Sequence, residues 1–383
     1  MGPFRMELIR IIRHYRLDFR FRQWKEYLFM AEDGLFSEDW CQMLLPEAKC
    51  DAELIESTGN FLWRAPEEGE LYAEGPPDIE LGNLIEGDQL RFGIQFRGRP
   101  KNALVLGQGG GGKSVSCRNI CIQVDALNQR HTDRPTLLLI IDPKPDFLSL
   151  KRTLKGKVNL YSSHDNLRLG LNGPVGVPPS VWIGQLTLSL GARMKLVASR
   201  TCLAGIIMRL LVGLNQGLHQ KDLEDASVAR DLTWPPLKMV LVVARKQDIL
   251  DIFSSKADYG KTLIQALEGV IYDSGSLFDC CNGLDVNKEA IAAQSHCIFN
   301  VSNTPPSITH LITDLVINQV LVKKLHCNYK CDRTDEIFLI DEADLLVDSD
   351  VADFPEGRLS PLDLLHRLGR ELGLMSIISI SGI

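Results

Sequence analysis

The chain has 383 residues, 45% hydrophobic and 24% charged, with a formal net charge of −7. That length buries a large core, as one big domain with an insertion or as two domains, and the composition excludes a disordered or fibrous chain. The charge excludes a surface coated in basic patches, so any nucleic-acid contact has to be local, as on loops lining a channel.

The longest apolar runs, such as Leu137–Ile141 and Met239–Ala244, are far too short to cross a bilayer. Arginines interrupt the N-terminus every few residues, so neither a signal peptide nor a membrane anchor is expected. Ten scattered cysteines show no disulfide framework, which suits a reducing, cytoplasmic setting. Cys327 and Cys331 beside His326 lack paired Cys-x-x-Cys spacing, and free thiols are the expectation there.

Residues 4–29 place Leu8, Ile12, Tyr15 and Phe19 at helical spacing, with Arg5, Arg10, Arg13, Arg16 and Arg20 on other faces. Seven basic against three acidic residues in the first 26 suit a nucleic-acid or anionic-membrane contact, or a solvated helix packed on a partner or its own core. Residues 30–78 are acidic, contain Pro46, Pro66, Pro76 and Pro77, and read as a small appended region ending in a linker. From Ile79, short strands and turns lead into the apolar run Ala103–Leu106.

That run ends in Gly107-Gln108-Gly109-Gly110-Gly111-Gly112-Lys113-Ser114, which fits the phosphate-binding pattern Gly-x-x-x-x-Gly-Lys-Ser. Triphosphate oxygens need many donors close together, and a glycine backbone can wrap them with its N–H groups as the next helix begins. Lys113 is expected at the β/γ-phosphates, Ser114 on Mg²⁺, and Val115 in the helix whose N-terminus faces the anion. ATP and Mg²⁺ are the expected ligands.

A second strand, Thr136–Ile141, runs into Asp142-Pro143-Lys144-Pro145-Asp146, where open α/β sheets place ligand sites; Asp142 joins the candidate catalytic residues. A short strand follows at Val158–Tyr161, then a helical insertion over about residues 175–290, including a helix body from Leu237 to Phe253. The sheet resumes at Cys297–Val301, a helix spans Thr309–Lys324, and Glu336–Ile340 ends in Asp341-Glu342. Asp341 is expected to hold Mg²⁺ through water, and Glu342 to polarise the water that attacks the γ-phosphorus, so hydrolysis is the implied activity. A last helix, Leu362–Gly373, carries Arg367 and Arg370 and leads to the strand Leu374–Ile380. An end three residues later suggests a fragment of a longer protein.

The order of phosphate loop, Asp142-Pro143-Lys144, Leu169-Gly-Leu-Asn-Gly-Pro174, helical insertion, Asn-x-Ser strand, Ile340-Asp341-Glu342-Ala343 and Gly369-Arg370 resembles the HerA/FtsK superfamily of DNA-pumping ATPases. That superfamily includes the coupling proteins of bacterial conjugation, and the resemblance covers residues 79–383. It implies a RecA-like α/β core with a mainly parallel sheet, assembled as a hexameric ring that threads double-stranded DNA. It also implies that Arg370 is an arginine finger reaching a neighbour's γ-phosphate. Where the family presents a γ-phosphate-sensing Gln, this chain has Ser381. Motors of this type act with a nuclease or other effector, for which residues 1–78 are the expected docking region. The alternatives are a nucleotide-gated scaffold or sensor of an antiviral defence complex, a conjugation or type IV secretion coupling ATPase, and a protein-exporting motor.

Overall fold

Leu8, Ile11 and Ile12 share one face of α1 (Pro3–His14), and that stripe starts the core of an N-terminal unit in a computed structural model of the chain. The structure describes residues 2–15, 17–20, 22–57, 78–83, 91–94, 102–130, 134–196, 199–246, 257–343 and 359–381. Helices α2 (Leu17–Arg20), α3 (Arg22–Glu32) and α4 (Glu38–Ser57) complete this core with Leu17, Trp24, Cys41, Leu44, Leu45 and Ala48. Trp24 donates its indole N–H to Asp51 Oδ2 at 2.7 Å, which satisfies the one polar atom that its burial would strand. Within residues 30–78, read as a small appended region ending in a linker, α4 runs 20 residues straight through Pro46, and residues 58–77, at its linker end, lie outside the described residues. The missing helix bond is outweighed by the apolar face that α4 buries. An antiparallel pair, β1 (Ile79–Asn83) and β2 (Arg91–Ile94), belongs to the same compact unit, Met1–Gln95.

The second unit, Phe96–Ile383, is built on a six-stranded sheet. Its strands are β3 (Ala103–Gly107), β4 (Leu137–Asp142), β5 (Val158–Ser162), β6 (His296–Asn300), β7 (Cys331–Ile340) and β8 (Leu372–Ser381). Their spatial order is β3-β8-β7-β4-β6-β5, and every pairing is parallel. All six residues of β4 are buried, as are Ile337–Ile340 of β7 and Leu374–Ile378 of β8, the near-continuous apolar runs that a covered parallel sheet requires. Because the strands are parallel, the segments following β3, β4, β7 and β8 all emerge at one edge.

Helix α5 (Lys113–Arg130) follows β3, a short α6 (Leu150–Thr153) links β4 to β5, and after β5 the chain leaves the sheet for α7 (Pro179–Arg193), α8 (Arg200–Leu214), α9 (Leu237–Ala244) and α10 (Ala257–Ser274). Helix α9 stops at Ala244, short of the expected Phe253; the end of that expected helix, residues 247–253, lies outside the described residues. The long α11 (Pro306–His326) is buried nearly all round, as a core helix must be. Near the C-terminus α12 (Pro361–Leu368) gives way to a 3₁₀ turn, Gly369–Glu371, so the expected helix to Gly373 is shorter and β8 begins at Leu372.

Two buried polar pairs tie the layers together. Arg193 grips Asp314 of α11 through Nε at 2.9 Å and Nη2 at 3.1 Å, so its charge is spent inside the helical layer. His296 accepts the Leu138 N–H at Nδ1, 3.1 Å away, while Nε2 faces Asp125 at 3.5 Å. Burial pushes this imidazole below its ordinary 6.5, against the opposing pull of Asp125. A depressed histidine stabilises the fold above about pH 6.5, and that contribution is lost as the pH falls through the lowered folded value. Thermal melting across pH 8 to 5 should therefore show a smaller acid-side fall in His296→Gln than in the wild type; equal falls would remove His296 from the response.

Candidate active site

The phosphate loop bridges the end of β3 and the start of α5. Gly110 and Gly112 have φ of +76° and +84°, conformations open to glycine and strained for other residues. A Cβ built on Gly109, Gly110 or Gly112 meets nothing within 4 Å, so the loop's backbone faces open space in which an anion can sit against it. Lys113, buried at the first position of α5, donates from Nζ to the carbonyls of Gly107 and Gln108 at 2.9 and 3.0 Å. Val115 lies exposed on the first turn of the same helix.

Strand register brings the rest to this loop. Gly107 at the end of β3 pairs with Ser381 at the end of β8, and Ile340 of β7 pairs with Ile141 of β4. Ser114 therefore meets Asp341, donating its hydroxyl to Oδ2 at 3.2 Å. Asp341 is fully buried and its other oxygen, Oδ1, has no hydrogen-bond partner among the described residues. An orphaned carboxylate oxygen beside a serine hydroxyl is the hard-oxygen donor set that suits Mg²⁺, so the residues present fit that ion. Next along, Glu342 holds φ at +48°, an unfavourable conformation for a side chain with a Cβ and one that accumulates at functional positions. Its Oε1 is ion-paired with Lys144 Nζ and lies 3.5 Å from Ser381 Oγ.

Asp142 ends β4 fully buried, and its two oxygens accept the N–H groups of Asp146 and Phe147 at 3.1 and 3.0 Å. Burial raises its pKa to about 6, opposed by those two N–H bonds. By accepting these two backbone N–H groups, Asp142 holds the turn that carries Lys144.

Arg370 is not brought to this cluster. It sits two residues before β8 begins, beside Arg134, Lys330, Cys331 and Asp332, at the opposite edge of the sheet from the phosphate loop. Ten residues of extended strand separate the two, roughly 30 Å at the ordinary rise per residue. Arg370 therefore cannot serve its own chain's loop. Lys144 and Ser381 are the contacts that sequence reasoning did not assemble. The Asp-Pro-Lys motif was their signal, but only the strand order reveals its lysine facing Glu342.

Among solved structures, VirB4 of Thermoanaerobacter pseudethanolicus superposes with a TM-score of 0.51 at 15% identity, over 80% of this chain and 77% of that one. The bacterial conjugative coupling protein TrwBdeltaN70 superposes with a TM-score of 0.51 at 16% identity, over 74% of this chain and 62% of that one. The chain has a RecA-like P-loop NTPase core. No protein-family model matches the chain, and the sequence of no curated protein does. Among the described residues no helix is long and apolar enough to cross a membrane.

Proposed function

We propose that the chain is an ATP-hydrolysing motor subunit that works as a ring on double-stranded DNA, in the manner of HerA/FtsK motors and conjugative coupling proteins. The observation that carries this reading is the meeting of Ser114 with Asp341 at the mouth of a glycine-lined loop, with Glu342 next in line. In this reading the loop's N–H groups and Lys113 bind the β- and γ-phosphates of ATP, and Ser114 with Asp341 holds Mg²⁺. When bound, the Mg²⁺ neutralises phosphate charge that builds up during transfer. Glu342 accepts the proton of the water that attacks the γ-phosphorus. The fold shared with a conjugative coupling protein supports DNA as the moved substrate. The far-edge location of Arg370 suits a residue that completes a neighbouring copy's site, which supports a ring as the working unit. Residues 1–78 are the proposed docking region for a nuclease or other effector.

The test is steady-state ATP turnover with and without long duplex DNA, with solution mass measured alongside. A hexamer whose turnover rises several-fold with DNA is expected. DNA-indifferent turnover in a small oligomer would replace the motor with the scaffold or sensor reading, and stimulation by a protein substrate alone would replace it with an export motor. Arg370→Ala should bind ATP normally and lose turnover only in the assembled ring; equal loss in isolated subunits would show that it does not act in trans.

A further inference from the structure

Glu342 is held by partners from two other strands. Lys144 reaches it from the turn after β4, and Ser381 stands beside it at the last position of β8. Both contacts fall on the same oxygen, Oε1, so the carboxylate can still accept a proton at Oε2. A base whose far side is fixed by a third group is the recurring arrangement of active sites in which a general base must be aimed as well as basic. Glu342 needs such aiming. Its left-handed backbone sits at the junction between a rigid strand and a turn, where its side chain is not confined by a regular element.

We propose that Lys144 is a positioning residue for ATP hydrolysis: it pins Oε1 of Glu342 to the end of β4, with Ser381 as the auxiliary contact, and so aims Oε2 at the attacking water. This rests on the reading of Glu342 as the general base. The arrangement explains what Asp142 does, since its two backbone bonds hold the turn that presents Lys144. It also gives Ser381 a task that a longer side chain at the same position would perform differently, because the hydroxyl reaches Glu342 itself. Lys144 is the exposed member of the pair, with 55% of its side chain accessible against 12% for Glu342, so replacing it leaves the core untouched.

The experiment is a kinetic double-mutant cycle in the full chain, with ATP turnover and the binding of a fluorescent ATP analogue both measured. Lys144→Met, which keeps the length and removes the charge, should lower kcat roughly tenfold, the low end of the loss on removing a group that orients a functional side chain. The affinity for the analogue should stay within about twofold, and Lys144→Arg should recover most of the rate. In a Glu342→Gln background, Lys144→Met should cost nothing further, because a residue that acts only through Glu342 has nothing left to aim. A wild-type rate in Lys144→Met would overturn the proposal, and so would a faster one, which would make the ion pair a restraint. A further tenfold loss on top of Glu342→Gln would also overturn it, by assigning Lys144 a direct contact with the nucleotide. If the wild type itself does not hydrolyse ATP, or Glu342→Gln is fully active, the underlying reading fails instead, and the two failures are told apart.

Discussion

Glu342→Gln should bind ATP as the wild type does and hydrolyse it about two to three orders of magnitude more slowly, the scale of losing a positioned general base. The substitution is nearly isosteric, so the turn after β7 and its neighbours in the sheet are kept. What changes is chemistry: an amide cannot take the proton of a water, and it cannot form the ion pair with Lys144. Binding should survive because the expected phosphate contacts, the glycine loop and Lys113, lie at the junction of β3 and α5 and not on the turn after β7. Phosphate release measured beside analogue binding separates the two effects. Undiminished turnover would take Glu342 out of the reaction, and lost binding would place it among the nucleotide contacts.

Lys113→Ala should fail one step earlier, at binding. The Lys113 ammonium lies between two loop carbonyls, 2.9 and 3.0 Å away, and is mostly buried, so it is held in place before any phosphate arrives. A charge-assisted hydrogen bond contributes about 1.5–3 kcal/mol, so the affinity for ATP should fall roughly tenfold to a hundredfold. The glycine loop and α5 remain, which is why some affinity should persist. Titration with a fluorescent analogue reads the loss directly; wild-type affinity in Lys113→Ala would mean that the nucleotide is held elsewhere.

The core of the site was legible in the sequence because its parts are local. A run of glycines between an apolar strand and Lys-Ser, and a four-residue apolar run ending in Asp-Glu, are each set by neighbours along the chain. The parallel sheet was legible for a similar reason: Leu137–Ile141 and Ile337–Ile340 are apolar on both faces, as only covered strands are. Other features depended on distant parts of the chain. Pro46 and the acidic residues around it carry no helical signal of their own, yet packing against α1 makes them a helix. The Leu372-Gly373-Leu374 stretch fits a helix end or a strand start, and only its pairing with β7 decides for the strand. The Lys144–Glu342 contact exists because β4 lies beside β7, and the Ser381–Glu342 contact because β8 lies beside β7 on its other side; neither neighbour relation is written in any single stretch. The same dependence separates Arg370 from the loop: β8 runs ten residues from Leu372 to Ser381, and a strand puts its two ends at opposite edges of the sheet.

The most direct test of the account is an experimental structure of the chain with a non-hydrolysable ATP analogue and Mn²⁺ in place of Mg²⁺, the metal located by its anomalous signal. The triphosphate should lie against Gly107–Ser114, the metal beside Ser114 and Asp341, and Glu342, still paired with Lys144, should face the γ-phosphate. Metal bound away from Asp341, or a triphosphate that leaves the glycine loop empty, would contradict it.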